Sequence, residues 1–120
     1  MPKSLKPIVC INGSRSISTL DIDRFIDPSH IGAVVTGGAR GVDTIAERWA
    51  KRNGLEWICY LPQWDVYGKR AGMIRNCEMV DFCDILISFW DGKSVGTLQA
   101  IEYCKKIGRP YICHLFQDLD

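Results

Sequence analysis

Five short apolar runs, separated by stretches of helical periodicity, constrain this chain more than any other feature of its sequence. Residues 8–11 (IVCI), 33–36 (AVVT), 57–61 (WICYL), 85–89 (ILISF) and 111–115 (YICHL) have almost no polar breaks, the pattern of strands covered on both faces. Helical spacing is clearest from Val42, where Ile45, Ala46, Trp49 and Ala50 continue one face until Asn53-Gly54 ends it. A shorter helix is expected over residues 18–26, with Ile22, Phe25 and Ile26 inward and Asp27-Pro28 as its stop. A third covers residues 71–82 with a Met73, Cys77, Val80 stripe. The fourth covers residues 95–107, turns Ala100, Cys104 and Ile107 inward, and is capped by Gly108. The resulting βαβαβαβαβ order predicts a Rossmann-like, doubly wound parallel α/β sheet of about five strands with helices on both faces.

With 120 residues, 47% of them hydrophobic and 24% charged, the chain suits one globular domain over residues 1–120. A net charge of +1 argues against a broad nucleic-acid footprint. No stretch approaches the roughly 18 apolar residues of a membrane span, and the opening lacks the apolar core of a signal peptide. A cytosolic protein without membrane partners is the expectation. The six cysteines, Cys10, Cys59, Cys77, Cys83, Cys104 and Cys113, form no C-x-x-C pair. They read as buried reduced thiols, and no metal site is expected. The closing FQDLD reads as a frayed acidic tail.

In an open parallel sheet, ligands bind at the carboxyl ends of the strands, where strand order reverses. The loops to read are therefore Gly13-Ser14-Arg15, residues 37–43, residues 62–70 and residues 90–97. Two of them, GGARGVD and DGKSVG, are glycine-rich and open directly into helices. Free backbone N–H groups and the helix dipole then favour an anion. The alternative is that these glycines only make tight strand-to-helix turns.

Familiar phosphate motifs fail: G-x-G-x-x-G would need glycine at Thr36, and the Walker pattern would need it at Ile87. Residues 92–96 do read G-x-S-x-G, a hydrolase nucleophile elbow, but only Glu102 and His114 follow Ser94 as partners, and Glu102 lies in the same helix. Arg15, Arg40, Arg70 and Arg75 fall in or just after these loops, with forks suited to phosphate. Some of them could instead cap helices or pair with Asp43, Asp65 or Asp91. Trp64 and Tyr67 offer faces for a base, although Trp64 equally suits closing the core. Asp43 either accepts ribose hydroxyls or stabilises the start of its helix. The inventory of phosphate cradles, guanidinium, aromatic and acid suits a nucleotide.

Assembled, these segments resemble the SLOG superfamily, specifically its YspA-like branch, over nearly the whole chain. The likeness rests on GSR (13–15), GGARGVD (37–43), ERWAKRNG (47–54), LPQWDVYGKRAGMIRN (61–76) and DGKSVGT (91–97). It implies a nucleotide-derived small-molecule partner, such as an NAD-derived or ADP-ribose-like signal, bound for sensing or sequestration, no further cofactor, and self-association as a dimer or higher homo-oligomer. On this reading Gly37, Gly38, Arg40, Gly41 and Asp43, with Gly92, Ser94, Gly96 and Thr97, belong to the two segments, residues 37–43 and 92–97, that hold phosphates, and Asp91 is a further ligand-binding residue. Arg75 and Asn76 fix ribose or phosphate, Gly13, Ser14 and Arg15 form the floor, and Trp64 covers the base.

Related phosphoribohydrolases of the LOG type use an R-K-x-x-M arginine and a P-G-G-x-G-T-x-x-E glutamate. Here Arg75 and Met79 keep the first motif, but Ala100 stands at the glutamate position. The enzyme alternative, cleavage of an N-glycosidic bond, therefore has Arg75 as its catalytic candidate and needs another carboxylate, Asp43 or Asp91, to stabilise an oxocarbenium-like centre. A single-stranded DNA module, as in the superfamily's DNA-processing branch, is a further alternative that the near-neutral charge disfavours.

Overall fold

The computed structural model describes residues 6–116, so most of the expected acidic tail lies outside the described residues. Five strands, β1 (Ile8–Gly13), β2 (Ala33–Thr36), β3 (Glu56–Cys59), β4 (Ile85–Trp90) and β5 (Tyr111–Leu115), form one sheet in the order β3-β2-β1-β4-β5. Every pairing is parallel. The helices are α1 (Val42–Arg52), α2 (Trp64–Tyr67), α3 (Ala71–Phe82) and α4 (Val95–Ile107). No helix among the described residues is long and apolar enough to cross a membrane.

Side-chain alternation along β1 divides the core. Val9 and Ile11 pack with Val34, Ile87, Phe89 and the α1 residues Val42, Ala46, Trp49 and Ala50. Cys10 faces the other way, onto Val35, Leu86, the α3 residues Met79 and Val80, and the α4 residues Ala100, Ile101 and Cys104. Helices thus cover both faces, and the chain passes from one face to the other between β3 and β4.

Several expectations need correction. Residues 18–26 form no α-helix; a 3-10 turn at Ile22–Arg24 and another at Pro28–His30 make the first crossover. Ile17, Ile22, Ile26 and Ile31 all reach the same core. A looser path can bury all four, whereas a single helical stripe cannot, because residues five apart lie on different sides. Residues 62–70 contain α2 and a 3-10 turn at Gly68–Arg70.

On α3 the buried set is Ala71, Asn76, Met79 and Val80, while Met73 is exposed. On α4, Ile107 is exposed and Thr97 and Ile101 are buried with Ala100 and Cys104. Coverage on both faces holds for β1, β2 and β4 but not for β5, where Tyr111, Ile112 and Leu115 are exposed on an edge strand. Of the six cysteines, all free, only Cys10, Cys83 and Cys104 are buried, and Cys113 is exposed.

Candidate functional site

Strand order reverses between β1 and β4, and their loops diverge from that point. A cavity of about 310 Å³ opens there. Asn12 and Gly13 at the end of β1 line it with Arg15 and Ser16 from the following loop; Ala39 and Asp43 lie before and inside α1; Arg75, Asn76 and Met79 come from α3; Asp91, Ser94, Gly96 and Thr97 come from the loop after β4 and the first turn of α4.

The two glycine-rich loops differ in what occupies them. In the first, the Asp43 carboxylate Oδ2 accepts from the backbone N–H groups of Gly37 and Ala39, each at 3.2 Å. The protein's own carboxylate therefore sits where this loop was expected to hold a phosphate. Burial pushes the Asp43 carboxyl above its ordinary value, against the opposing pull of the Ala39 bond, the Arg75 charge and the Gly37 bond.

Glycines in this loop serve the backbone. Gly38 has φ +74°, and a Cβ there would lie 2.7 Å from the Leu61 side chain. Gly41 has φ +75°, and a Cβ there would lie 2.5 Å from the Ser14 carbonyl oxygen. Gly13 lies equally close to Val42 of α1 and to the Phe89 carbonyl.

The second loop is organised by Asp91. Its Oδ1 accepts from the N–H groups of Lys93 and Ser94, both at 2.8 Å, and its Oδ2 accepts from the Ser16 hydroxyl at 2.7 Å. Its own N–H donates to Ser14 Oγ at 2.9 Å. These bonds, led by that from Lys93, hold the carboxyl well below the usual carboxylate range. Asp91 thus latches the loop after β1 to the loop after β4. Beyond it, the first-turn N–H groups of α4 have no intrahelical acceptor. Gly96 stands among them at an ordinary backbone angle, and a Cβ on it would meet only Asn76 Nδ2, at 3.9 Å. Neither backbone conformation nor packing demands a glycine there.

Arg75 joins the back of the site. Its Nη1 donates to the carbonyls of Gly37, at 2.5 Å, and Tyr60, at 3.3 Å, and its Nε donates to Asn76 Oδ1 at 2.9 Å. Asn76 passes the connection on by donating from Nδ2 to the Gly96 carbonyl at 3.3 Å. Burial draws the Arg75 guanidinium below its ordinary pKa, and the Asp43 charge opposes that shift.

Nine of the sixteen residues expected at the site line the cavity, Gly13, Arg15, Asp43, Arg75, Asn76, Asp91, Ser94, Gly96 and Thr97, and Ser14, though not a lining residue, accepts from the Asp91 N–H. Gly37, Gly38, Arg40, Gly41, Gly92 and Trp64 do not line it. Trp64 is 57% exposed on α2, so it neither closes the core nor reaches the cleft. Tyr67 is exposed beside it, and Arg40 and Arg70 are exposed elsewhere.

The hydrolase elbow finds no partners. Ser94 Oγ accepts from the Thr97 hydroxyl, His114 stacks on Phe89, and Glu102 pairs with Lys105. Sequence reasoning missed Asn12 and Ser16, named Met79 only through the LOG-type motif, and took in Ala39 only as part of the loop over residues 37–43. For the two that were missed, an asparagine closing an apolar strand run just before a glycine was the available signal. Among the described residues no cluster suited to a metal ion occurs.

This cleft at the reversal of a 3-2-1-4-5 parallel sheet places the protein in the Rossmann-like α/β class. The profile of the YspA, cpYpsA-related SLOG family matches residues 7–67. The chain belongs to that family. It is 42% identical over 85 residues to the Gene 61 protein of Mycobacterium phage D29, an alignment covering 66% of this chain and 68% of that one. DNA processing protein A from Streptococcus pneumoniae shares the fold, with a TM-score of 0.78 at 23% identity, over 96% of this chain and 52% of that one. The chain thus spans about half the length of that structural relative.

Proposed function

We propose that this protein binds a nucleotide-derived phosphate ligand in the β1/β4 cleft, for sensing or sequestration, with the phosphate against the first turn of α4. Membership of the SLOG family suggests a nucleotide-related role. The observation that carries the reading is Gly96. A glycine inside a helix costs roughly 0.5–1 kcal/mol relative to alanine, yet nothing in the fold requires one at this position. What its missing side chain leaves free is cavity beside unsatisfied N–H groups, the environment an anion occupies most closely. Arg15, exposed at the mouth of the same cavity, adds a positive charge.

A second reading, N-glycosidic cleavage, draws support from one observation. Ala100, at the position of the LOG-type glutamate, is buried in the core, and Asp91 is fully occupied by its hydrogen bonds. Asp43 instead keeps a buried carboxylate at the cavity wall, near Arg75. Incubating the protein with a nucleotide panel including ADP-ribose, then analysing the mixture by mass spectrometry, tests both. Intact ligand retained by the protein supports binding; free base plus sugar phosphate supports cleavage; no retention of any member rejects the phosphate site.

A further inference from the structure

Two buried side chains in the cleft have hydrogen-bonding capacity that the protein leaves unused, and the two are opposite in kind. Asn12 is 6% exposed and Asp43 is 5% exposed, and both line the cavity. Ser88 on β4 is fully buried, and its hydroxyl donates to Asn12 Oδ1. The amide oxygen therefore faces Ser88, and the Nδ2 group is the end of the amide left toward the cleft that Asn12 lines. Among the described residues Nδ2 has no acceptor. On Asp43, Oδ2 takes the two loop N–H groups and Oδ1 is without a donor. Both residues are more than nine-tenths buried, and the unpaired atoms are left to whatever occupies the cavity they line. A donor and an acceptor lining one cavity suit a group that both accepts and donates, which is a hydroxyl.

We infer that Asn12 and Asp43 together read the free hydroxyls of a sugar, so that the cleft selects ribosyl over 2′-deoxyribosyl phosphates. The inference rests on the phosphate-ligand reading above and names the part of the ligand that this reading leaves open. Asn12 donates to a sugar oxygen, and the same or the neighbouring hydroxyl donates to Asp43. Arg75 lines the same cavity, but its side chain is already engaged by its bonds to Gly37, Tyr60 and Asn76. A site built around a hydroxyl rejects the analogue lacking it more strongly than an apolar pocket rejects an extra group, since the protein's own polar atoms are left unpaired.

The test measures affinities for ribo- and 2′-deoxyribonucleoside 5′-monophosphate pairs of each common base, in the unaltered protein and in two polarity-reversing variants. Asp43→Asn keeps an oxygen for the Gly37 and Ala39 bonds but turns the cleft-facing atom into a donor. Asn12→Asp keeps the Ser88 bond but turns its cleft-facing atom into an acceptor. The expected result is a preference for the ribo form of at least tenfold, falling to near unity in each variant that circular dichroism shows to be folded.

Equal binding of both sugars would overturn the inference and leave the phosphate reading standing. A preference that survives in both variants would also overturn it, because the discrimination would then lie elsewhere. If no pair binds, and inorganic phosphate and ADP-ribose do not bind either, the phosphate reading fails and the inference with it. Should Asp43→Asn not fold, Asn12→Asp alone decides the outcome.

Discussion

Gly96→Ala separates what the fold needs from what the ligand needs. The new Cβ would have Asn76 Nδ2 as its nearest neighbour, at 3.9 Å, so no atom has to move. Replacing a helical glycine by alanine gains about 0.5 kcal/mol this close to a helix start. For a domain of this size that raises Tm by about 2 °C. The same methyl enters the cavity beside the α4 N–H groups and holds a phosphate away from them. Losing even one charge-assisted hydrogen bond, about 1.5–3 kcal/mol, weakens binding by about tenfold to a hundredfold.

A matched control lies in α3. Gly72 is also the second residue of its helix, and a Cβ there meets only the Trp64 ring, at 3.7 Å, outside the cleft. Gly72→Ala should raise Tm similarly and leave affinity unchanged. Calorimetric titration with ADP-ribose or the nucleotide that the panel retains, alongside thermal melts, gives both readouts. If Gly96→Ala raises Tm and leaves the dissociation constant as it was, no anion sits against this turn and the reasoning is refuted. A fall in Tm would show instead that the fold does require this glycine.

Gly41→Ala should be destabilised by about 2 kcal/mol or more, because it forces a positive φ on an L side chain and drives its Cβ into the Ser14 carbonyl; an unchanged urea midpoint would contradict that packing. Gly38→Val should likewise lower stability, through φ +74° and the approach to Leu61, so any loss of binding in it would not locate the ligand. Asp91→Ala should cost about 1 kcal/mol through loss of the turn leading into α4. The Asp91 carboxyl is held below its ordinary value in the fold, so its contribution is present above the ordinary carboxylate range and is lost as pH falls below it. Acid titration of stability should therefore be shallower in the variant.

Asp43 has the opposite sign: its pKa is raised in the fold, so stability declines as pH climbs from the ordinary carboxylate value through the raised one. Asp43→Asn should remove that decline, and an identical pH profile would show that Asp43 is not buried as described.

The sheet and three of its helices were legible because their signals are local, and α1 (Val42–Arg52) follows the face that begins at Val42 and ends before Asn53-Gly54. Residues 71–82 and 95–107 carry helical spacing bounded by a loop and by Gly108, whose φ of +77° is the left-handed cap expected of it. Residues 18–26 failed as a helix because their isoleucines answer to a core that the flanking Ile17 and Ile31 also enter. Which face of α3 turns inward was hidden for a related reason: Asn76 is buried although polar, since its partners Arg75 and the Gly96 carbonyl are supplied by the folded site.

Sequence by itself determined the class of fold and the edge of the sheet to inspect, because strand runs, helix periods and glycine-rich junctions are properties of neighbouring residues. It could not say which N–H groups of the two glycine-rich loops the protein's own carboxylates take. Both loops look alike as strings of amino acids, yet in the folded chain Asp43 turns its carboxylate back onto the N–H groups of one and Asp91 stitches the other to the loop after β1. The folded backbone decided that by turning Asp43 onto its own loop and by bringing Ser16 to Asp91, and it also brought Ser88, 76 residues away, to the amide oxygen of Asn12.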